Sequence, residues 1–225
     1  MNVRFYGVRA IAATRALGDE LDVMKDAGDN VRLVFTDLFT RWFREQLEGA
    51  QLEVWGGVLD ASETHIRVYQ QLINAKTGEL SASFAHVLQL QDATTREPVP
   101  FAPEVVEAAL AARVEWPDNS RPRSIDLEHD PKLVTLDQAK SLGLSTWGFR
   151  NIDADECGPE GYFDSKFFFN LVWGRDDDDD DDEWLQQHEG RTFGWASLES
   201  RGTLFRLPRG GDRVQSYRAV VDMGS

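Results

Sequence analysis

Few residues of this 225-residue chain combine the type and spacing that chemistry demands. Cys157 is the only cysteine and a possible nucleophile. It lies among Asp153, Asp155, Glu156 and Glu160, whose charge disfavours the thiolate, so an inert thiol is expected. His65, His86, His129 and His188 have no metal-ligand spacing, and neither a metal nor another cofactor is implied. Seven consecutive aspartates, Asp176 to Asp182, lack the glycine turn and interleaved carbonyl ligands of a cation cage and read as a solvated, inserted surface loop. Gly56-Gly57 and Gly210-Gly211 are isolated pairs, a bulge and a turn rather than a phosphate cradle. That leaves carboxylates, which activate water or attack a carbonyl carbon. Asp37 and Glu199 stand out because each falls in the stretch that follows a helical segment.

Apolar residues at Val3, Tyr6, Ala10, Ala13 and Leu17 predict a helix over 2–17, ended by Gly18. In 37–47, Leu38, Phe39, Trp42, Phe43 and Leu47 fit a helical stripe capped by Thr36 or Asp37, and local pattern leaves helix or strand open. Leu52, Val54 and Val58 alternate as a strand. Ile66, Val68 and Leu72, a turn at Asn74–Gly78, and Leu80, Ala82, Phe84, Leu88 and Leu90 on one face make a long antiparallel hairpin over 64–92. Pro98, Pro100 and Pro103 stop the ladder, and a short helix follows at 104–113. Residues 115–133 have the proline and charge content of a linker. Beyond it come a short helix starting at Thr135, a strand in Thr146–Ile152, an apolar helix capped by Asp164, and two strand-like runs separated by Pro208–Asp212. The aromatics Trp42, Phe43, Trp55, Phe167, Phe168, Phe169 and Trp173 are expected in the core or along an apolar tunnel.

Residues 163–225 lie beneath residues 1–63 without a gap. Phe163–Phe168 falls under Met1–Tyr6, Gly211, Val214, Val220 and Asp222 under Gly49, Leu52, Val58 and Asp60, and Glu199 under Asp37. Agreement at both ends of so long a segment points to an internal repeat. The net charge of −15, from 24 Lys and Arg against 39 Asp and Glu, leaves no basic stripe, so nucleic acid and anionic membranes are poor partners. No apolar run matches a membrane span, and Met1–Arg9 lacks the core of a secretory signal, so a soluble, cytoplasmic protein is expected.

The helix, strand pair, long hairpin with Thr77-Gly-Glu-Leu-Ser-Ala-Ser83 and the Asp92–Phe101 ending resemble the hotdog-fold acyl-CoA thioesterases of the 4-hydroxybenzoyl-CoA thioesterase type, above all tandem two-hotdog members. The approach to the helix in that family reads like ECD-x-x-GHMN. This chain opens on Met1-Asn2, as at the end of that motif, and has Glu156–Asp164 at the second position. The resemblance implies an α+β fold of tandem hotdogs, each a helix wrapped by an antiparallel sheet. It implies a first hotdog over 1–113 lacking its leading strand, a linker with a short helix over 114–142, and a second hotdog over 143–225 lacking its closing hairpin, with the acidic loop at 176–183. It also favours a strand at 37–47.

By the same resemblance the chain hydrolyses an acyl-CoA or acyl-carrier thioester, with backbone N–H groups at a helix start holding the oxyanion. Asn2, Val3 and Tyr6, and Asp164 and Ser165, are then the expected substrate contacts; Asp37 and Glu199 are the best carboxylate candidates for catalysis, against the plainer reading in which Asp37 caps a local turn and Glu199 faces solvent. The family's acid falls on Gly158 and its histidine on Tyr162, so the second site is degenerate. A non-catalytic hotdog module that binds an acyl thioester or serves as an assembly subunit is the alternative. Missing strands leave open sheet edges, and a homo-oligomer is expected.

Overall fold

The computed structural model describes residues 4–128, 135–168, 171 and 198–218. The chain divides into two compact units, one of residues 1–130 with 197–205 and one of residues 131–196 with 206–225.

The first unit opens with helix α1, Arg4–Glu20. Tyr6, Gly7, Ala10, Ile11, Thr14 and Gly18 are buried along one stripe, and the small ones among them let the helix approach a sheet closely. Gly18 does not end the helix, contrary to the expectation, and the chain turns only after Glu20, where Asp22 and Asp26 take positive φ. The sheet has the order β2-β3-β4-β1-β7, with β1 Val31–Trp42, β2 Leu52–Ala61, β3 Ile66–Asn74, β4 Leu80–Asp92 and β7 Glu199–Thr203. The two-residue β5, Pro98–Val99, pairs with the far end of β4.

Residues 37–42 are therefore strand, as the resemblance implied and the local stripe did not, but 43–47, expected in the same strand, lie beyond its end at Trp42. The physical reason is tertiary: β1 is paired antiparallel with β4 on one side and β7 on the other, and both of its faces are covered. Leu38 and Thr40 face α1, while Phe39 and Arg41 lie on the opposite face. A strand covered on both faces shows no polar alternation. The core beneath α1 joins Tyr6 and Ala10 to Leu72, Ala82 and Phe84, with Trp42, Leu52 and Val54 packed at its margin.

The hairpin of β3 and β4 forms as expected, except that Leu72 pairs with Ala82 and Ile73 with Leu80, so Ser81 is an extra residue in β4. This bulge moves Leu80 off the face that carries Ala82, Phe84, Leu88 and Leu90. The short helix α2, Pro103–Ala111, follows, with proline in its first turn. Residues 116–127, with the composition of a linker, lie as a strap on the sheet face opposite α1. Trp116 stacks against Phe39 and Tyr69 with ring centroids 6.0 and 5.5 Å apart. Ser120 is fully buried and bonds the Tyr69 hydroxyl at 2.7 Å, while its carbonyl accepts from Ser83.

In the second unit, helix α3, Leu136–Ser141, carries a capping box between Thr135 and Gln138. Strands β6, Ser145–Asn151, and β8, Arg213–Arg218, pair antiparallel. Asp164 caps a single turn, Ser165–Phe167, by accepting from the Lys166 N–H at 3.0 Å. Most of the expected helix beyond it, and all of the aspartate run, lie outside the described residues. Gly49 and Gly211, which the repeat expected from sequence would align, have φ of +83° and +85° and sit just ahead of β2 and β8. Phe39 and Arg201, aligned by the same offset, face each other at the middle of the β1–β7 ladder.

Candidate functional site

Two polar sites lie between the sheet and its coverings. The first is on the α1 side. His86, in the middle of β4, is 2% exposed and held between Phe35 and Phe84. Its Nδ1 lies 2.9 Å from Thr14 Oγ1, and Thr14 donates to the Ala10 carbonyl at 3.0 Å. Gln70 from β3 bridges the same turn of helix, donating to Ala10 O at 2.7 Å and accepting from Thr14 N–H at 2.8 Å. With the Thr14 proton so used, Nδ1–H of a neutral imidazole is the donor to Thr14. Burial pushes the His86 pKa down to about 3, so the ring stays neutral across the physiological range. Nearer the start of α1, the Tyr6 hydroxyl accepts the Gln46 N–H at 2.9 Å and Gln46 Oε1 accepts from Asn74 at 2.6 Å. Burial raises the Tyr6 pKa, which leaves the phenol protonated.

The second site is on the strap side, and it contains both carboxylates picked out by sequence. Asp37 receives a forked guanidinium from Arg201, with Nε to Oδ2 at 2.9 Å, and Arg201 also donates to the Asp126 carbonyl at 2.8 Å. Glu199 has a side chain only 5% exposed and lies 3.4 Å from Arg41. It accepts the backbone N–H groups of Arg123, Ser124 and Ile125 at 2.8, 2.9 and 3.3 Å, and the Ser124 hydroxyl at 2.8 Å. Burial raises its pKa, but these donors outweigh that and hold it below the usual carboxylate value. A depression lined by Asp37, Phe39, Arg67, Ala85, Val87 and Leu127 has room for about one water molecule, too little for an acyl chain.

The structure thus brings Asp37 and Glu199 together on one face of the sheet and puts the α1 packing of Tyr6 on the other. Tyr6 is 1% exposed, with its hydroxyl engaged by Gln46. Asn2 and Val3 lie outside the described residues, Asp164 serves as a cap, and Ser165 is buried beside it. The thiol of Cys157 is pushed above its ordinary value first by burial and then by Glu156, Asp155 and Asp212, so desolvation leads where the sequence pointed to charge. Among the described residues, no three His, Cys, Asp or Glu side chains are grouped to hold a metal. Thr14, Gln70, His86 and Gln46 were not singled out as site residues. Their signal in the sequence was faint: polar residues at buried positions of apolar periods.

With this geometry in view, comparison with solved structures identifies the architecture. The chain matches an acyl-ACP thioesterase from Bacteroides thetaiotaomicron VPI-5482 with a TM-score of 0.64 at 12% identity, covering 96% of this chain and 79% of that one. It matches a 12:0-ACP thioesterase from Umbellularia californica equally well, at 0.64 and 12%, over 94% and 77% of the two chains. A protein described as an oleoyl thioesterase from Lactobacillus plantarum gives 0.63 at 14% identity, over 96% and 75%. No protein-family model and no curated protein sequence matches the chain. The fold is the α+β hotdog fold, a helix laid against an antiparallel sheet. Among the described residues no helix is long and apolar enough to cross a membrane.

Proposed function

We propose that this chain is a thioester hydrolase of the hotdog class, acting on an acyl group carried by CoA or by a carrier protein. The observation that carries the reading is the likeness over nearly the whole chain to three solved structures, each described as a thioesterase. The two-copy organisation is part of the proposal, supported by the matched φ of Gly49 and Gly211 and by the pairing of Phe39 with Arg201.

In this reading Asp37 and Glu199 belong to the scaffold. Each is already engaged, Asp37 by the Arg201 guanidinium and Glu199 by Arg41 and the strap donors, so neither is poised to orient a water. The oxyanion donors are the N–H groups at the start of α1. The test is sustained thiol release from a panel of short, long and aromatic acyl-CoA and acyl-carrier thioesters, with the single equivalent from Cys157 subtracted. Absence of turnover across the panel would refute hydrolysis. Binding without turnover would establish the second reading, a non-catalytic acyl-thioester module, which the engagement of both carboxylates and the Gly158 in place of the family's acid favour.

A further inference from the structure

Gln46 lies in the segment between β1 and β2 and is 4% exposed. The orientation of its side-chain amide follows from a short chain of hydrogen bonds. Asn74 Oδ1 accepts the N–H groups of Lys76 and Thr77 at 3.0 and 3.2 Å, so the other end of that amide, Nδ2, is turned to Gln46 Oε1 and donates to it at 2.6 Å. Gln46 Nε2 is therefore turned away from Asn74, and among the described residues this buried nitrogen has no acceptor. The Tyr6 hydroxyl accepts the Gln46 N–H at 2.9 Å, and its own proton has no acceptor among the described residues either. Buried donors left unmet are costly, so the pair is arranged for an acceptor.

Tyr6 belongs to the first turn of α1, and helical side chains lean toward the N-terminus of their helix. Its hydroxyl and Gln46 thus lie toward the end of α1 where the backbone N–H groups lack helical partners. Apolar side chains border the pair. Trp42, Leu52 and Val54 are partly buried against the core that contains Tyr6, Leu52 lies opposite Asn74 on the β2–β3 ladder, and Leu47, next to Gln46, is 84% exposed. The donors are a neutral amide and a neutral phenol, and Arg44 nearby in sequence is bonded to Glu79. A carboxylate buried against them would have no counter-charge among the described residues, so a neutral carbonyl oxygen with an apolar substituent is the group they suit.

Resting on the thioester reading above, we propose that Gln46 and Tyr6 form an acyl-carbonyl site. Gln46 Nε2 and the Tyr6 hydroxyl donate to the carbonyl oxygen of the bound thioester, beside the N–H groups at the start of α1, and the margin of Trp42, Leu52 and Val54 takes the adjoining carbon chain. Asn74 is the positioning residue that turns the Gln46 amide.

The test compares two non-hydrolysable ligands: a ketone in which a methylene replaces the thioester sulfur, and a thioether that lacks the carbonyl. Each is made with short, long and aromatic acyl groups, on CoA and on a carrier protein, and titrated against the full chain by calorimetry. The parent should bind the ketone about tenfold more tightly than the matching thioether, and Gln46→Met should lose that preference while binding the thioether as the parent does. Tyr6→Phe keeps the ring in the core and should reduce the preference about threefold, which decides the matter should Gln46→Met not fold. In isotope-edited infrared spectra the C=O stretch of the bound ketone should move to higher frequency in the folded variant. A parent that binds both ligands alike, or a preference unchanged in the folded variant, overturns the proposal. Equal weakening of ketone and thioether also overturns it, leaving Gln46 a packing role alone. If no ligand of the panel binds the parent, the thioester reading itself fails and takes this inference with it.

Discussion

Acid should weaken this protein through His86, and the size of the effect follows from its burial. The ring is enclosed by α1, β1 and β4, and its described neighbours Thr14, Gln70, Phe35 and Phe84 offer no counter-charge. Folded, it titrates at about 3, against an ordinary value of 6.5 in the unfolded chain. Below pH 6.5 the unfolded state takes up a proton that the folded state refuses, so this contribution to stability is lost as pH falls from 6.5 toward 3. Between about pH 7.5 and about pH 5 the loss comes to about 2 kcal/mol. The figure is set almost wholly by the unfolded value, because the folded ring remains neutral at the lower pH. Other groups add their own pH dependence, and a difference between variants isolates this one. His86→Asn keeps a donor toward Thr14 and cannot titrate. Urea unfolding followed by tryptophan fluorescence should show the parent losing about 2 kcal/mol more than the variant over that interval. Equal losses, within about 0.5 kcal/mol, would refute the account of His86 as a neutral ring buried without a charge partner.

Glu199→Gln removes the charge that gathers four donors of the strap, and should cost about 1–3 kcal/mol with faster proteolysis of residues 116–127, measured by urea titration and limited digestion. The Glu199 contribution should also fade as pH falls through its lowered folded value, since a depressed carboxylate stabilises only where it is ionised. Asp37→Asn should lower stability by about 1–3 kcal/mol and leave thioester turnover per folded molecule unchanged; loss of turnover with stability intact would place Asp37 in the reaction. Gly56→Ala would set a Cβ 2.0 Å from the Tyr69 carbonyl oxygen and 2.9 Å from Gln70 Cα, both backbone, so a cost of about 3 kcal/mol is expected in thermal or urea unfolding. Gly49→Ala, by contrast, meets open space and bears only the strain of its positive φ, about 1 kcal/mol.

Much of the fold was legible along the chain because its signals are local. The β3–β4 hairpin announced itself through alternation and a turn in which Asn74 accepts two N–H groups, and α3 through the Thr135 box. The turns at Gly49 and Gly211 were also readable, since both glycines take a positive φ. Other features depended on residues far away in sequence. Phe39 and Trp42 look helical in isolation because a strand covered on both faces has no polar period to display. Residues 115–133 read as a linker because prolines and charges are counted without the partners, Phe39, Tyr69, Ser83 and Glu199, that seat residues 116–124.

The candidate carboxylates show the same division. Sequence alone singled out Asp37 and Glu199 as the candidate carboxylates, each in the stretch after an expected helical segment. Only the tertiary structure decided what surrounds them: Arg201 against Asp37, Arg41 and three strap amides against Glu199, and α1 on the other face of the sheet. Sequence likewise determined that His86 belongs to a strand of apolar rhythm, while its neutrality came from enclosure by α1, β1 and β4. Residue type and spacing set which groups are present and which local shapes the backbone prefers. Partner, dielectric and face arise from contacts between residues tens to more than a hundred positions apart, which no local pattern encodes.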